Sequence, residues 1–318
     1  MHRELGLSLR HVCEASKGAI EFDQIGMHRL IEVLSGSAVI SPAVFARYYE
    51  LVEAITGARF DDARRLFGEL FRSTLARGEL TGAKPRTHGL QVVTLGDPEL
   101  GAESERYTRL MNADTSIDLG FLPPTPEVAS AFRERLVRGM RLLDTVLPEL
   151  ASEIRAIVHQ IVIVGSDPKA KYQFDGGSHY QLWGALFLNG NFHPDEIAIA
   201  EVLAHESAHS LLFGFCTHEA LVRNDDDELF SSPLRVDKRP MDGIYHATFV
   251  SARMHWTMSQ LARSDALDIQ QKEHACAAAE ADARNFNAGY GVVAEHADLT
   301  NLGRSLMASA KAYMDSVR

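Results

Sequence analysis

Cysteine is scarce in this chain of 318 residues, which contains only three. Cys13, Cys216 and Cys276 lie far apart, their number is odd, and no two of them form a CxxC pair. A disulfide framework and a cysteine-based zinc site are therefore not expected. We expect reduced and mostly buried thiols instead.

Long apolar runs are also missing. The most apolar run, from Ile157 to Gly165, is short and contains His159 and Gln160, whereas a membrane-spanning helix needs about 20 apolar residues. The first residues, "MHRELGLSLRHVCEASKG", scatter charges through the segment and contain no apolar core of the length that a signal peptide needs. The sequence thus predicts a cytoplasmic protein without a membrane partner.

Positive charge is in deficit, with 32 Lys and Arg against 43 Asp and Glu and a net charge of -11. This balance argues against a nucleic-acid partner and against an anionic membrane surface. The content of 46% apolar and 24% charged residues is typical of a globular protein with a sizeable core. The sequence has no heptad pattern of the kind that indicates a coiled-coil dimer. It therefore leaves the oligomeric state open.

Helical periodicity dominates what is present, and it predicts a mainly α protein with a small β-sheet. A proline-rich stretch from Leu119 to Glu127 divides a largely helical region, 1–120, from a region with the metal motif, 121–318, although the two could form one continuous domain. The β-branched run from Ile154 to Gly165 predicts a buried strand. A second strand is expected within Tyr180 to Gly190, either as an edge for an extended peptide or as a core strand.

The most informative stretch is "AEVLAHESAHSLLFGF", which contains the pattern H-E-x-x-H at His205, Glu206 and His209. Residues four apart lie on the same helix face, about 6 Å apart along the axis, so both imidazoles can point at one cation. Glu206, about 100° around the helix, can sit beside the cation without binding it. Within an amphipathic helix beside a sheet, as in zincins, this pattern predicts a metal site.

Two histidines need a third ligand, and the sequence offers several. The extension with a third histidine that defines metzincins is absent. Glu228 lies about where a thermolysin-like enzyme would place its ligand, but it ends an acidic run that is typical of solvated surface. Glu219 and Asp242 are further carboxylates, and His246 is the histidine candidate, on a helix that begins near Asp242.

The helix of His246 also carries an arginine. His246, Val250 and Arg253 share one face, with the arginine about 10 Å along the axis. Arg235 and Arg239 lie just upstream. A metal ligand near a guanidinium suits an acid that chelates a metal at one end and presents a carboxylate at the other.

These segments resemble a known family. The sequence resembles the HEXXH-motif proteins found with ribosomally made, post-translationally modified peptides. The likeness lies in the segment H-E-S-A-H-S-L and in the later segment S-P-L-R-x-D-x-R-P-M-x-G-I-Y-H-A-T-F-V-x-A-R-M. The likeness covers roughly Trp183 to Met254. It implies an iron(II)- and 2-oxoglutarate-dependent hydroxylase that uses O2 on a side-chain β-carbon of a ribosomally synthesised precursor peptide.

The resemblance also implies roles for particular residues. His205, His209 and His246 would be the iron ligands, and Glu206 would lie in or next to the coordination sphere. One of three arginines, Arg253, Arg239 or Arg235, would hold the distal carboxylate of 2-oxoglutarate. Helix geometry favours Arg253.

One difference from the common 2-oxoglutarate enzymes leaves the identity of the third ligand open. The common 2-oxoglutarate enzymes bind iron through two histidines and one carboxylate, generally on a β-barrel, and this chain shows no such strand pattern. A different reading of the same motif is a zinc metallopeptidase that processes a peptide, with Glu206 as the general base and Zn(II) as the metal. A non-enzymatic helical binding module with an accidental H-E-x-x-H is the third hypothesis.

Overall fold

The structure is a computed structural model that describes residues 1–36, 39–75, 86–87, 89–112, 120–170, 174–232 and 237–317, with only the backbone of 73–75 and 86–87. Helix makes up 65% of it, and the strands form a small mixed sheet, which confirms the prediction of a mainly α protein. None of the described helices is long and apolar enough to cross a membrane.

The described α-helices and strands follow one another along the chain. The helices are α1 (His2–Ser16), α2 (Gln24–Ser35), α3 (Pro42–Thr56), α4 (Phe60–Leu75), α5 (Glu103–Met111), α6 (Pro126–Val146), α7 (Pro148–Ile157), α8 (Glu196–Phe215), α9 (Met241–Ala262), α10 (Ile269–His296) and α11 (Asn301–Ser316). The strands are β1 (Arg86–Thr87), β2 (Leu90–Thr94), β3 (Phe121–Leu122), β4 (Gln160–Ser166), β5 (Gly176–Ser178), β6 (Ala185–Asn189), β7 (Leu229–Phe230) and β8 (Arg239–Pro240).

The chain divides into two compact units that are discontinuous in sequence, whereas the two predicted regions were continuous. The first unit comprises Met1–Ala129 and Val158–Gly190, and the second comprises Ser130–Ile157 and Asn191–Arg318. The larger sheet belongs to the first unit and the H-E-x-x-H helix α8 to the second.

The sheet of the first unit has the order β1-β2-β4-β6-β5, with β3 pairing to β4. β4 runs parallel to both β2 and β6, and its apolar residues are buried. The predicted strand from Ile154 to Gly165 is wrong in its first part, because α7 continues to Ile157 and β4 begins at Gln160. Pro148 at the first turn and apolar residues at helical spacing favour the helix there.

β6 is the predicted second strand, and its place in the sheet decides between the two expectations for it. It pairs with β4 on one side and with β5 on the other, and all five of its residues are buried. A peptide cannot pair with a strand whose two sides are occupied. β6 is therefore a core strand.

A network of partly buried ion pairs connects α3, α4 and α5 in the first unit. Arg106 lies within 2.9 Å of Glu50, 2.7 Å of Glu69 and 2.9 Å of Glu103. Next to it, the buried hydroxyl of Tyr107 donates a hydrogen bond to a side-chain oxygen in β4 at 3.0 Å. These polar contacts tie the helices to each other and to the sheet.

The second unit is built of helices around α9. α10 begins with a capping box, in which the side chains of Asp268 and Gln271 each accept from the backbone N–H of the other residue. Its packing on α9 depends on Gly289, where an added Cβ would collide with the side chain of Thr248. Apolar side chains of α8 to α11, with Leu212, Ile244 and others, form the core of this unit.

Candidate functional site

The site is built on α8, which is buried on most of its circumference. Asp195 caps its first turn by accepting from the backbone N–H of Ala198 at 2.9 Å. The sequence predicts an amphipathic helix, but buried residues cover more of the circumference of α8 than an amphipathic helix would bury. Its middle turns expose one partial stripe, Glu201, His205 and His209, at successive spacings of four, while the residues between them are buried. A polar stripe on an otherwise buried helix is typical of a functional surface.

His205 and His209 converge as the sequence predicts. Their Nε2 atoms lie 3.2 Å apart. Two nitrogens at that separation, each about 2.1 Å from one ion, subtend an angle of about 100° at the ion, which lies between octahedral and tetrahedral values. The same distance also fits an N–H···N hydrogen bond between neutral imidazoles. The separation is therefore compatible with a shared cation and with a hydrogen bond between the two rings.

His246 lies against the other side of His209. The Nδ1 atoms of these two residues are 3.1 Å apart, and their rings stack with centroids at 5.4 Å. The Nε2 of His246 faces the Asp242 carboxylate at 3.8 Å. Since the two nitrogens of an imidazole point away from each other, His246 does not face the point at which His205 and His209 converge. In this arrangement it orients the ring of His209.

This arrangement explains a second observation. Within the described ranges, no group of three or more His, Cys, Asp or Glu side chains is placed so that it could hold a metal ion. The H-E-x-x-H pair supplies two convergent nitrogens, and a third donor would have to turn toward them. His246 as the third ligand stays a prediction.

Glu206 lies next to the histidine pair. It is buried, and its Oε1 is 3.7 Å from Nε2 of His205. A carboxylate at this place can accept a proton from a water bound beside His205, or can approach the cation itself. The distance is compatible with both roles that the sequence suggested for Glu206.

The surroundings of His209 and His246 favour their neutral imidazoles. Burial, followed by the charges of His205 and His246, lowers the pKa of His209 well below its ordinary value. Burial also lowers the pKa of His246, while the carboxylate of Asp242 acts in the opposite direction. Metal ions bind the neutral imidazole, so this environment favours coordination at neutral pH.

The two described candidate arginines each lie near a carboxylate of this chain. Arg253 forms an ion pair with Glu153 on α7. Arg239 lies 3.5 Å from Asp237. Arg235 lies outside the described residues. Among the arginines that the structure describes, the one on the helix of His246 thus already binds a carboxylate of this chain.

Two of the alternative carboxylate ligands have other partners. Glu219 accepts from the backbone N–H of Leu302 at 3.1 Å, at the start of α11. Glu228 lies at the surface, where it accepts from the side-chain amide of Asn224 at 3.3 Å. Asp242, the third alternative, is half-exposed beside His246.

The structure draws attention to a carboxylate that sequence reasoning did not single out. Asp282 on α10 is only 2% exposed. Burial, followed by the charge of Glu201, raises its pKa to about 8. Its sequence context, "AAAEADARNF", reads as a polar helix surface, and only the pairing of α10 with other helices buries it. A charged residue in an alanine-rich helical segment is a weak signal by itself.

No protein-family model matches this chain, and no curated protein matches it.

Proposed function

We propose that the chain is an iron(II)- and 2-oxoglutarate-dependent hydroxylase that acts on a side-chain β-carbon of a ribosomally synthesised precursor peptide. The observation that carries the proposal is the 3.2 Å separation of the Nε2 atoms of His205 and His209. The choice of iron, 2-oxoglutarate and a peptide comes from the family resemblance. The zincin-like placement of the H-E-x-x-H helix beside a sheet is part of the same proposal.

Each residue of the site has a defined task in this proposal. His205 and His209 would hold the metal, and His246 would be the third ligand. When bound, iron with 2-oxoglutarate and O2 supplies the oxidising power for hydroxylation. Glu206, buried next to His205, orients bound water or substrate and can hold a proton.

An arginine must also bind the distal carboxylate of 2-oxoglutarate. Arg253 would exchange its internal carboxylate, Glu153, for that of the cosubstrate, and such an exchange conserves the charge pairing. Arg239 and Arg235 are the alternatives upstream. A substitution Arg253→Gln separates them, because it should raise the KM for 2-oxoglutarate at least tenfold only if Arg253 is the residue in contact.

A zinc metallopeptidase is the second candidate, and the position of Glu206 favours it. Its Oε1 lies 3.7 Å from Nε2 of His205, close to where a metal-bound water would be. In that mechanism Glu206 accepts the proton of the water as general base. The two candidates share the histidine pair and differ in the metal, in the cosubstrate and in the product.

The test is metal analysis after anaerobic purification, followed by mass spectrometry of a short peptide encoded beside the gene and co-expressed with this protein. We expect about one iron per chain in the histidine site, conversion of 2-oxoglutarate to succinate, and a peptide that gains one oxygen atom. Stoichiometric zinc with a shortened peptide and no dependence on 2-oxoglutarate would establish the peptidase instead.

A matched pair of histidine variants completes the experiment. His205→Ala removes one of the two convergent nitrogens and should abolish metal binding at that site and peptide modification. His296→Ala removes a partly exposed histidine in the same unit and should leave both unchanged. If His205→Ala retained metal content and activity, the H-E-x-x-H motif would be accidental and the chain would be a binding module.

A further inference from the structure

Aromatic side chains from two elements meet in the first unit. Tyr48 and Tyr49 lie on α3, and Tyr180 begins a single 3₁₀ turn, Tyr180–Leu182, between β5 and β6. The rings of Tyr49 and Tyr180 are nearly perpendicular, at 83°, with centroids 5.3 Å apart, and Tyr48 meets Tyr49 at 73° and 5.4 Å. His179 stacks on Tyr180 with centroids at 4.9 Å. We call these four side chains the aromatic corner.

The perpendicular pair of tyrosines can present two ring faces to one ligand. Two rings in an edge-to-face arrangement form corners that are each bounded by a face of both rings, and the stacked His179 can occupy at most one of them. Tyr180 is 46% exposed, so solvent reaches the pair. The face of an aromatic ring carries partial negative charge and attracts a cation within about 6 Å of its centre.

A carboxylate lies at the same place. Glu53 follows Tyr49 by one turn of α3, on the same helix face, and it is exposed. Its Oε1 accepts a hydrogen bond at 3.4 Å from the side-chain amide of Gln181, the residue after Tyr180. This contact places the carboxylate next to the aromatic corner, where it adds negative charge.

The surroundings favour uncharged rings in the aromatic corner. Burial lowers the pKa of His179, whose Nδ1 accepts from the backbone N–H of Gln181 at 3.3 Å. Burial, followed by the neighbouring phenols, raises the pKa of Tyr49, and burial, followed by the charge of Glu53, raises the pKa of Tyr180. Near pH 7 the aromatic corner therefore combines neutral rings with one carboxylate, a combination that is complementary to a cation.

We propose that the aromatic corner and Glu53 bind an organic ammonium ion, such as a choline-like molecule or a methylated lysine side chain. Ring faces attract an alkylammonium group through its charge and contact its methyl groups, and the carboxylate beside them pairs with the charge. The net charge of -11 also favours a cationic ligand over an anionic one. The inference is independent of the proposed function, because none of these residues belongs to the histidine site.

The test titrates the full chain with choline and with the uncharged alcohol in which a carbon atom replaces the nitrogen of choline. Saturation-transfer NMR of the ligand methyl protons measures binding at constant ionic strength. We expect choline to bind with a Kd of about 1–10 mM, as a few cation–π contacts allow. The uncharged analogue has the same shape and should bind about tenfold more weakly or not at all.

Two variants remove one component each. Tyr180→Leu keeps an apolar side chain but removes the exposed ring, and it should weaken choline binding about fivefold or more. Glu53→Gln keeps a hydrogen-bond acceptor for Gln181, removes the charge and should weaken binding to a similar extent. The matched controls lie in the same unit and should leave binding unchanged: Phe60→Leu, at a ring that is 45% exposed, and Glu21→Gln, at an exposed carboxylate.

A tripeptide with trimethyllysine at its centre distinguishes two sources of the ammonium group. Binding at least as tight as that of choline assigns the site to a side chain of a peptide or protein partner, and weaker binding assigns it to a free ammonium ion.

Two results would overturn the proposal. One is choline binding that is absent or no stronger than that of its uncharged analogue. The other is choline binding that neither Tyr180→Leu nor Glu53→Gln weakens, in variants whose circular dichroism matches that of the wild type. Both substituted side chains are exposed, so the variants should fold.

Discussion

Replacing Asp282 with asparagine should change how the stability of the metal-free protein depends on pH. Burial, and next the charge of Glu201, raise the pKa of the Asp282 carboxyl from 3.8 to about 8 in the folded protein. Between these two values the folded protein holds a proton that the unfolded chain has released. The stabilisation that goes with this proton is complete below the unfolded pKa and is lost as the pH rises through the folded pKa.

The size of the effect follows from linkage. One extra proton in the folded state lowers the free energy of unfolding by about 1.4 kcal/mol for each unit of pH, so a rise from pH 5 to pH 7 costs roughly 3 kcal/mol through Asp282. An asparagine does not titrate and removes this contribution. The buried imidazoles of His209 and His246 have lowered pKa values and act in the opposite direction. The informative quantity is therefore the difference between variant and wild type.

Urea unfolding of both proteins at pH 5, 6 and 7, in the presence of a chelator, measures this difference. Asp282→Asn should gain roughly 3 kcal/mol relative to the wild type between pH 5 and pH 7. Glu280→Gln, on the exposed side of the same helix, should run parallel to the wild type. If the curves of Asp282→Asn and the wild type were also parallel, the carboxyl of Asp282 would not hold a proton in the folded state.

Two further substitutions test the packing of each unit. Gly289→Ala places a Cβ against the side chain of Thr248 and should destabilise the chain by about 1–3 kcal/mol in thermal or urea unfolding. In the control Gly291→Ala the added Cβ meets nothing within 4 Å, so the stability should be unchanged or slightly higher. Equal effects of the two substitutions would contradict the close approach of α9 and α10. Arg106→Met removes the arginine that joins three partly buried carboxylates, each of which keeps a second arginine, and should cost about 1–3 kcal/mol. Arg109→Met, at an exposed arginine, should cost less than about 1 kcal/mol. Equal losses for the two variants would show that the burial of Arg106 adds nothing to the network.

The helices were predictable where capping residues and apolar spacing agree. α8 begins at Glu196 after the capping Asp195, and α6 begins at Pro126, a residue type favoured in the first turn. The run from Ile154 to Gly165 was misassigned in part because β-branched residues serve equally in a buried helix end and a buried strand. Long-range pairing, rather than local propensity, placed the start of β4 at Gln160.

The candidate site also has one part that the local sequence predicts and another that depends on helix packing. The convergence of His205 and His209 follows from the period of a single helix, so the spacing of four was sufficient to predict it. The position of His246 depends on how α9 packs on α8, and the structure places it at the opposite nitrogen of His209. Asp282 was missed because nothing in an alanine-rich helix tells which charged residue will be buried.

Composition, capping and helical periodicity were therefore enough to establish a mainly α chain with two histidines on one helix face, because these features depend on neighbours within a few residues. Three features depend on contacts between elements far apart in the chain: which strands occupy the interior of the sheet, which carboxylate pairs with Arg253, and the burial of Asp282. Those contacts arise from the packing of whole helix and sheet surfaces, and no short stretch of sequence contains that information.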